Sequence, residues 1–171
     1  MNTGQTMLAM GAMMLLSFLV LRFNTIHLTS EQASYNSKFG IVATSLANSL
    51  IEEAKDKAYD KNALDTTKNI SSPNDFSNIG KDGGESYPDF DDFDDYNNLY
   101  YLDTLSLKNP QTGKPTGFEI RSIVEYVTDA NPDVKSGSKQ YHKKMTVSVF
   151  SSAMMDTVKL TTIFSYWSLL D

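Results

Sequence analysis

The stretch MLAMGAMMLLSFLVL, residues 7–21, decides the fold, because it is far more apolar than the rest of this acidic chain. A helix needs about 20 apolar residues to cross about 30 Å of hydrocarbon. The run itself is shorter, but the residues before it carry no charged side chain and the first charge after it is Arg22. Residues 4–23 can therefore cross a bilayer without burying a full charge.

Two other interpretations of the stretch are weaker. A removable secretion signal normally has a basic start and a small-residue cleavage site, whereas the opening MNTG has no Lys or Arg and no such site closely follows Leu21. A core helix of a soluble protein would need protein on every side, because Met, Leu, Ala and Phe surround the whole helix. The apolar side chains of this stretch are therefore best explained if lipid or other copies of the chain cover them.

The apolar pattern becomes one-sided after Ser30, which predicts an amphipathic helix. Apolar residues recur there at three- and four-residue steps: Tyr35, Phe39, Val42, Ala43, Leu46, Ala47, Leu50, Ile51 and Ala54. No proline precedes Pro73, so we expect one helix from about Gln5 to about Lys57, of the order of 80 Å long. Thr29 and Gln32 have the spacing of a capping box, and a new helix beginning there is the alternative.

Composition excludes several classes of function. The chain has 15 Lys and Arg against 21 Asp and Glu, without a basic cluster, so we expect no nucleic-acid contact. It has no cysteine and only two histidines, which leaves neither a thiolate nor an imidazole ligand set. No nucleophile elbow and no phosphate-binding glycine loop occurs. We therefore expect no enzymatic activity and no certain cofactor.

Residues 59–117 are rich in Asn, Asp, Ser and Gly, and we interpret them as a long loop region between helix and sheet. Within it, YPDFDDFDDYNN (residues 87–98) spaces three aromatic residues three apart with aspartates between them. Hard cations prefer oxygen ligands, so one reading is a calcium site. Its candidate ligands are Asp91, Asp92, Asp94 and Asp95. The other reading is an acidic turn whose aromatic side chains anchor the loop while its aspartates cap backbone N–H groups.

Residues 118–171 predict an antiparallel sheet. Strand-like alternation occurs in GFEIRSIVEYVTD, in KKMTVSVFSS and in DTVKLTTIFSYWSL, and short turn-rich links join these segments. A further strand is indicated at residues 101–107. The apolar stripe of the second helical segment supplies a cover for one sheet face, and its predicted helix-to-sheet contacts are Phe39, Val42, Leu46 and Leu50.

This layout resembles type IV pilins and the related pseudopilins. It has five parts: a candidate leader at 1–4, an apolar segment at 5–28, an amphipathic segment at 29–58, a loop region at 59–117 and a sheet at 118–171. The resemblance implies an α+β fold in which a long N-terminal helix packs on a small antiparallel sheet. It also implies processing between Gly4 and Gln5. Most family members carry a glutamate where this chain has Ala9, and the common pilin disulfide cannot form without cysteine.

The resemblance implies a structural subunit of a filament, held in the inner membrane before assembly and exported to the cell surface. Helices of identical subunits would pack through Met7, Leu8, Ala9, Gly11, Ala12, Leu15, Leu16, Phe18 and Leu19. Partners would be further copies of the chain, a prepilin peptidase and an assembly machinery. Two alternatives stay open: a pseudopilin of a type II-like secretion system, and a monomeric membrane-anchored binding domain.

Overall fold

A computed structural model describes residues 3–109 and 112–169 of the chain. The first element, α1, is one uninterrupted helix over Thr3–Lys55. It has no break at Thr29, where a capping box could have started a new helix. A five-stranded antiparallel sheet occupies the C-terminal part. The predicted α+β class, with a long N-terminal helix and a C-terminal antiparallel sheet, is confirmed.

The chain divides into two compact units, residues 1–38 and residues 39–171. Of the first unit, the structure describes the helical residues from Thr3 onward. Every side chain from Thr3 to Tyr35 is exposed. This part of α1 therefore buries nothing within the chain, and its stability as an isolated helix rests on backbone hydrogen bonds and local side-chain contacts alone.

The second unit contains the sheet. Its strands are β1 (Tyr100–Lys108), β2 (Pro115–Thr128), β3 (Asn131–Lys135), β4 (His142–Phe150) and β5 (Val158–Ser165). Their order is β1, β2, β4, β5, with β3 beside the end of β2. In the central register, Ile120 faces Val149 and Val124 faces Met145. The pairs β1–β2, β2–β4 and β4–β5 are all antiparallel, so the sheet is the predicted antiparallel meander with the short β3 added in the link between β2 and β4.

One face of the sheet packs against the last third of α1 and the intervening loops. The helix contributes Phe39, Ala43, Ala47, Leu50 and Ala54, which recur at three- and four-residue steps and are all buried. The sheet contributes alternate residues of β2 and β4: Phe118, Ile120, Val124, Met145, Val147 and Val149. The rings of Phe39 and Phe118 meet across this interface at 6.2 Å between centroids. The three alanines are small enough to let the helix approach closely.

The region between helix and sheet holds more regular structure than a loop. It contains a short helix α2 (Lys61–Leu64), two 3₁₀ turns (Pro73–Asp75 and Asp94–Tyr96) and all of β1. Strand β1 covers the further strand indicated at residues 101–107, and β2 begins three residues before the predicted sheet boundary. The side chains of β1 are exposed or half-buried. A strand at the sheet edge has a weak alternation signal because neither of its faces is fully covered.

Candidate functional site

The first unit exposes an extended apolar surface on α1 over residues 7–28. We call this segment the apolar stem. Its large side chains are each at least 58% exposed: Met7, Leu8, Met10, Met13, Met14, Leu15, Leu16, Phe18, Leu19, Val20, Leu21, Phe23, Ile26 and Leu28. This helix is also long and apolar enough to cross a membrane. Exposed apolar area of this extent marks a surface that another apolar body covers.

The two hydroxyl side chains within the stem bond to the helix itself. The hydroxyl of Ser17 donates to the carbonyl of Met13 at 2.9 Å, and that of Thr25 donates to the carbonyl of Leu21 at 2.9 Å. A hydroxyl satisfied in this way costs little in a medium without water. The stem is therefore compatible with a hydrocarbon environment despite its serine and threonine residues.

Small residues interrupt the stem at Ala9, Gly11, Ala12 and Ser17. A Cβ atom added to Gly11 would meet nothing within 4 Å, so the position is open. Small residues on a membrane helix let a second backbone approach closely, and van der Waals contact then holds the helices together. The predicted processing residues, Gly4 and Gln5, are exposed in the first turns of α1.

The residues predicted to join helix and sheet lie in the second unit. Phe39 and Leu50 are buried in its core, whereas Val42 and Leu46 are half-buried and pack against that core. The same helix thus carries two unlike surfaces. One surface is covered by the chain's own sheet, and the other has no cover among the described residues.

The aromatic residues of the acidic segment are buried. Phe90, Phe93 and Tyr96 are each at most 4% exposed. Phe90 and Tyr96 contact each other edge to face at 5.1 Å, and Phe93 contacts Phe164 of β5 at 5.1 Å. The Tyr96 hydroxyl donates to Glu53 of α1 at 2.8 Å. These contacts fasten the segment to both the helix and the sheet.

The carboxylates of the four aspartates predicted as calcium ligands do not converge on one site. Asp92 caps a turn, since its Oδ1 accepts from the backbone N–H groups of Asp94 and Asp95 at 3.0 and 3.2 Å. Burial raises the pKa of Asp92 to about 8, with the charges of Asp94 and Asp95 adding to the effect. Asp94 is engaged elsewhere, by Lys143. Only Asp91 and Asp95 of the predicted set share a site.

Lys143 is the centre of a buried ion network that the sequence reasoning missed. Its ammonium donates to Asp94 Oδ1 at 2.5 Å, Asp60 Oδ2 at 3.0 Å and the Tyr59 carbonyl at 2.8 Å. The ammonium also lies 4.4 Å from the centroid of the Tyr59 ring, a cation–π distance. Burial raises the pKa of Asp94, and the Lys143 charge opposes that rise. The three donor directions of the ammonium are all used, so the network is a closed structural unit.

A signal for this lysine exists in the sequence. Buried residues of β4 alternate as Lys143, Met145, Val147 and Val149. The same period that places the valines inward therefore places Lys143 inward as well. Its acceptors come from residues 59–60 and 94, which no local pattern brings to β4.

A second acidic cluster consists of Asp91, Asp95 and Glu85, and Glu85 is outside the predicted set. Carboxylate oxygens of Glu85, Asp91 and Asp95 lie within 4.8 Å of one another. Asp91 is exposed, Glu85 is half-buried and Asp95 is buried. Burial raises the pKa of Glu85, and the charges of Asp95 and Asp91 raise it further. This arrangement offers oxygen ligands to a hard cation.

No protein-family model matches the chain, no curated protein matches it, and no solved structure matches it.

Proposed function

We propose that this chain is a structural subunit of a type IV pilus-like filament, held in a membrane by the apolar stem before assembly. The observation that carries the proposal is the division of α1 between a fully exposed apolar stem and a segment packed on the chain's own sheet. Burying a large apolar side chain contributes about 1.5–3 kcal/mol. Leaving all of the stem in water would therefore be very costly, and a lipid or protein cover is required.

Lipid can cover the stem of the newly made subunit. Residues 3–21 contain no charged side chain, and the described hydroxyl groups of the stem bond within the helix. Arg22 is the first charge along the chain and is suited to the membrane–water interface, where arginine side chains extend toward water.

Other copies of the chain can replace the lipid. Moving an apolar helix from lipid into a bundle of identical helices gains little hydrophobic free energy, so close packing has to hold the bundle together. Gly11 with Ala9 and Ala12 permits close approach, and the flexible Met10, Met13 and Met14 side chains can fill uneven gaps. A contact repeated with a rotation and a rise generates an open helical filament.

The proposal extends to the partners and includes no catalytic activity. Further copies of the chain are the main partner, and a prepilin peptidase acting between Gly4 and Gln5 with a pilus-type assembly machinery completes the route. The mature filament would lie at the cell surface. We assign no catalytic role to the buried ionisable group around Lys143, whose hydrogen bonds connect parts of the second unit.

Electron microscopy of material sheared from expressing cells tests the proposal, with mass spectrometry to identify the chain in purified filaments. We expect filaments that contain this chain and whose N-terminal peptide begins at Gln5. A chain that stays in the membrane fraction while no filament forms under expression would contradict the proposal and favour the anchored monomer. Filaments with an intact Met1 would contradict only the processing step.

A matched pair of stem variants separates packing from simple anchoring. Gly11→Leu adds a bulky side chain at a position suited to close approach, whereas Val20→Leu changes a large apolar side chain into another of similar size. Both variants stay apolar, so both should partition into the membrane. We expect Gly11→Leu alone to lose filaments. Equal filament yields from the two variants would contradict a packing role for Gly11.

A further inference from the structure

The ammonium of Lys143 is held against the carboxyl group of Asp94 in a fully buried site. Nζ lies 2.5 Å from Oδ1, and the side chains of the two residues are 0% and 1% exposed. A carboxyl C–O bond is about 1.23 Å long, so the nitrogen lies within about 3.7 Å of the Asp94 carboxyl carbon. Atoms that are poised to react are about 3–3.5 Å apart. The pair is therefore close to the arrangement from which an amide bond forms.

A second carboxylate and one hydroxyl group connect the two ends of this pair. Asp60 Oδ2 accepts from Lys143 Nζ at 3.0 Å and from the Ser77 hydroxyl at 3.0 Å. The same hydroxyl lies 3.2 Å from Asp94 Oδ2. Because a hydroxyl group both donates and accepts, it can pass a proton from Asp60 to Asp94. These four groups form a proton path from the nitrogen to a carboxyl oxygen of Asp94.

The two carboxylates have different surroundings, which gives them different roles. Asp60 accepts from two backbone N–H groups at 2.9 Å each, besides its bonds to Lys143 and to the Ser77 hydroxyl. Such donors stabilise the charged form of a carboxylate. The interactions of the Asp94 carboxyl are with side chains, those of Lys143, Ser77 and Asp92. Asp60 is therefore the better proton acceptor, and Asp94 is the better group for the nitrogen to attack.

Aromatic rings keep water away from the pair. The ring centroids of Tyr59, Tyr126 and Phe76 lie 4.4, 5.5 and 5.9 Å from Lys143 Nζ. All three residues are buried. Charges are costly to bury, and an amide replaces an ammonium and a carboxylate by one neutral group. A closed, dry site therefore favours loss of water from the pair and protects the product from hydrolysis.

We propose that Lys143 and Asp94 join through an isopeptide bond, which forms once in each chain and needs no co-reactant. Lys143 gives a proton to Asp60, and its nitrogen then attacks the Asp94 carboxyl carbon. The C–N bond forms and the bond from that carbon to Oδ2 breaks. Two of the three ammonium hydrogens reach Oδ2 through Asp60 and Ser77, so that Oδ2 leaves as water. One hydrogen stays on the amide nitrogen, Asp60 returns to its starting state, and nothing is oxidised or reduced.

The bond would fasten the turn Asp94–Tyr96 to β4, across 49 residues of the chain. The chain has no cysteine, so a disulfide cannot supply such a link. The same turn contacts α1, because the Tyr96 hydroxyl donates to Glu53. A covalent link between distant residues restricts the unfolded chain and so stabilises the fold. The proposal is independent of filament assembly, because it concerns only residues of the second unit.

Intact-mass spectrometry of the full chain tests the bond, after production in cells without a prepilin peptidase, purification in detergent and denaturation. We expect a mass that is lower than the sequence mass by one water molecule. Tandem spectrometry of a protease digest should show a linked pair of peptides that carry Lys143 and Asp94. An unchanged mass in a chain that unfolds cooperatively would overturn the proposal. Loss of water located at Asp82–Gly83, where an aspartate can cyclise onto the backbone, would also overturn it.

Lys143→Arg and Lys144→Arg form a matched pair for the same measurement. Both variants keep the positive charge, but arginine has no primary amine to form this amide. Lys144 makes an exposed contact with the Asp133 carbonyl. We expect the loss of water to disappear in Lys143→Arg and to persist in Lys144→Arg. Its persistence in Lys143→Arg would overturn the assigned lysine.

Asp60→Asn tests the proton acceptor separately from the fold. An asparagine amide can still accept hydrogen bonds but does not take up a proton from the ammonium. We expect this variant to unfold cooperatively in a thermal scan and to lack the linked peptides of Lys143 and Asp94, a difference that a merely structural role would not produce. Wild-type amounts of those linked peptides in folded Asp60→Asn would overturn the role of Asp60.

Discussion

The two units of this protein differ in how their unusual side-chain placements are balanced. The apolar stem exposes leucine, methionine and phenylalanine along its whole length, while the second unit buries Lys143, Asp60, Asp94 and Asp95 almost completely. Burial of charge is tolerated there because Lys143 has three acceptors within hydrogen-bond distance. The exposed side chains of the stem have no comparable partners among the described residues of the chain. The comparison teaches that the second unit is complete by itself, whereas the first needs a surface supplied from outside.

Removing residues 1–28 is expected to have the largest effect, because it deletes the stem and leaves the covered part of α1 in place. The shortened chain should be soluble without detergent, monomeric by size-exclusion chromatography and cooperative in thermal unfolding. The full chain should stay in the membrane fraction. Aggregation or loss of cooperative unfolding in the shortened chain would show that the second unit depends on the stem.

Lys143→Met should cost about 3–5 kcal/mol of unfolding free energy, because it leaves the buried Asp60 and Asp94 carboxylates without their cation. Urea denaturation of the shortened chain measures this cost. Lys144→Met is the matched control: the neighbouring ammonium donates to the Asp133 carbonyl in an exposed contact, and its loss should cost less than about 1 kcal/mol. Similar costs for the two lysines would refute the buried network.

A leucine-to-alanine substitution at each of two positions distinguishes the two surfaces of α1. Leu50→Ala should destabilise the second unit by about 2–5 kcal/mol, since Leu50 is buried and a cavity remains. Leu16→Ala should change the unfolding free energy of that unit by less than about 0.5 kcal/mol, because Leu16 is exposed. Urea denaturation of the full chain in detergent compares them. A large effect of Leu16→Ala would show that the stem contributes to the fold of the second unit.

Ionisation of buried tyrosines at high pH should have the smallest of the expected effects on the unfolding free energy. Burial raises the pKa of Tyr59, Tyr96 and Tyr126 above the ordinary value near 10. Above that pH the unfolded chain loses tyrosine protons that the folded protein keeps, so the unfolding free energy should fall as pH rises beyond about 10. Ultraviolet titration should show fewer tyrosinates in the folded than in the denatured protein at about pH 11. Identical titration curves would contradict the burial of these rings.

The sequence predicts much of this fold because each main element has a strong local period. The three- and four-residue steps through Phe39 and Leu50 indicate the covered face of α1, and the alternation through Ile120 and Val124 indicates an inner sheet face. Strand β1 is harder to place within residues 59–117, since an edge strand is covered weakly on both faces.

The ionisable groups were less predictable because they depend on contacts distant in sequence. Lys143 follows the alternation of β4, but its partners Asp60 and Asp94 lie 83 and 49 residues away. Likewise, the spacing within the acidic segment suggests four aspartates in one site, whereas the fold turns Asp94 toward Lys143 and brings Glu85 to Asp91 and Asp95. Charge runs indicate an acidic region without showing which oxygens converge.

Filament yield after replacement of residues 7–21 by an unrelated polyleucine helix of equal length tests the central claim most directly. Polyleucine keeps the length and apolarity that membrane anchoring needs but removes the small residues and the particular packing surface. We expect the variant chain to reach the membrane at the wild-type level and to form no filaments, while the wild-type chain forms them. Filaments of normal yield from the polyleucine chain would contradict a specific packing role for the stem.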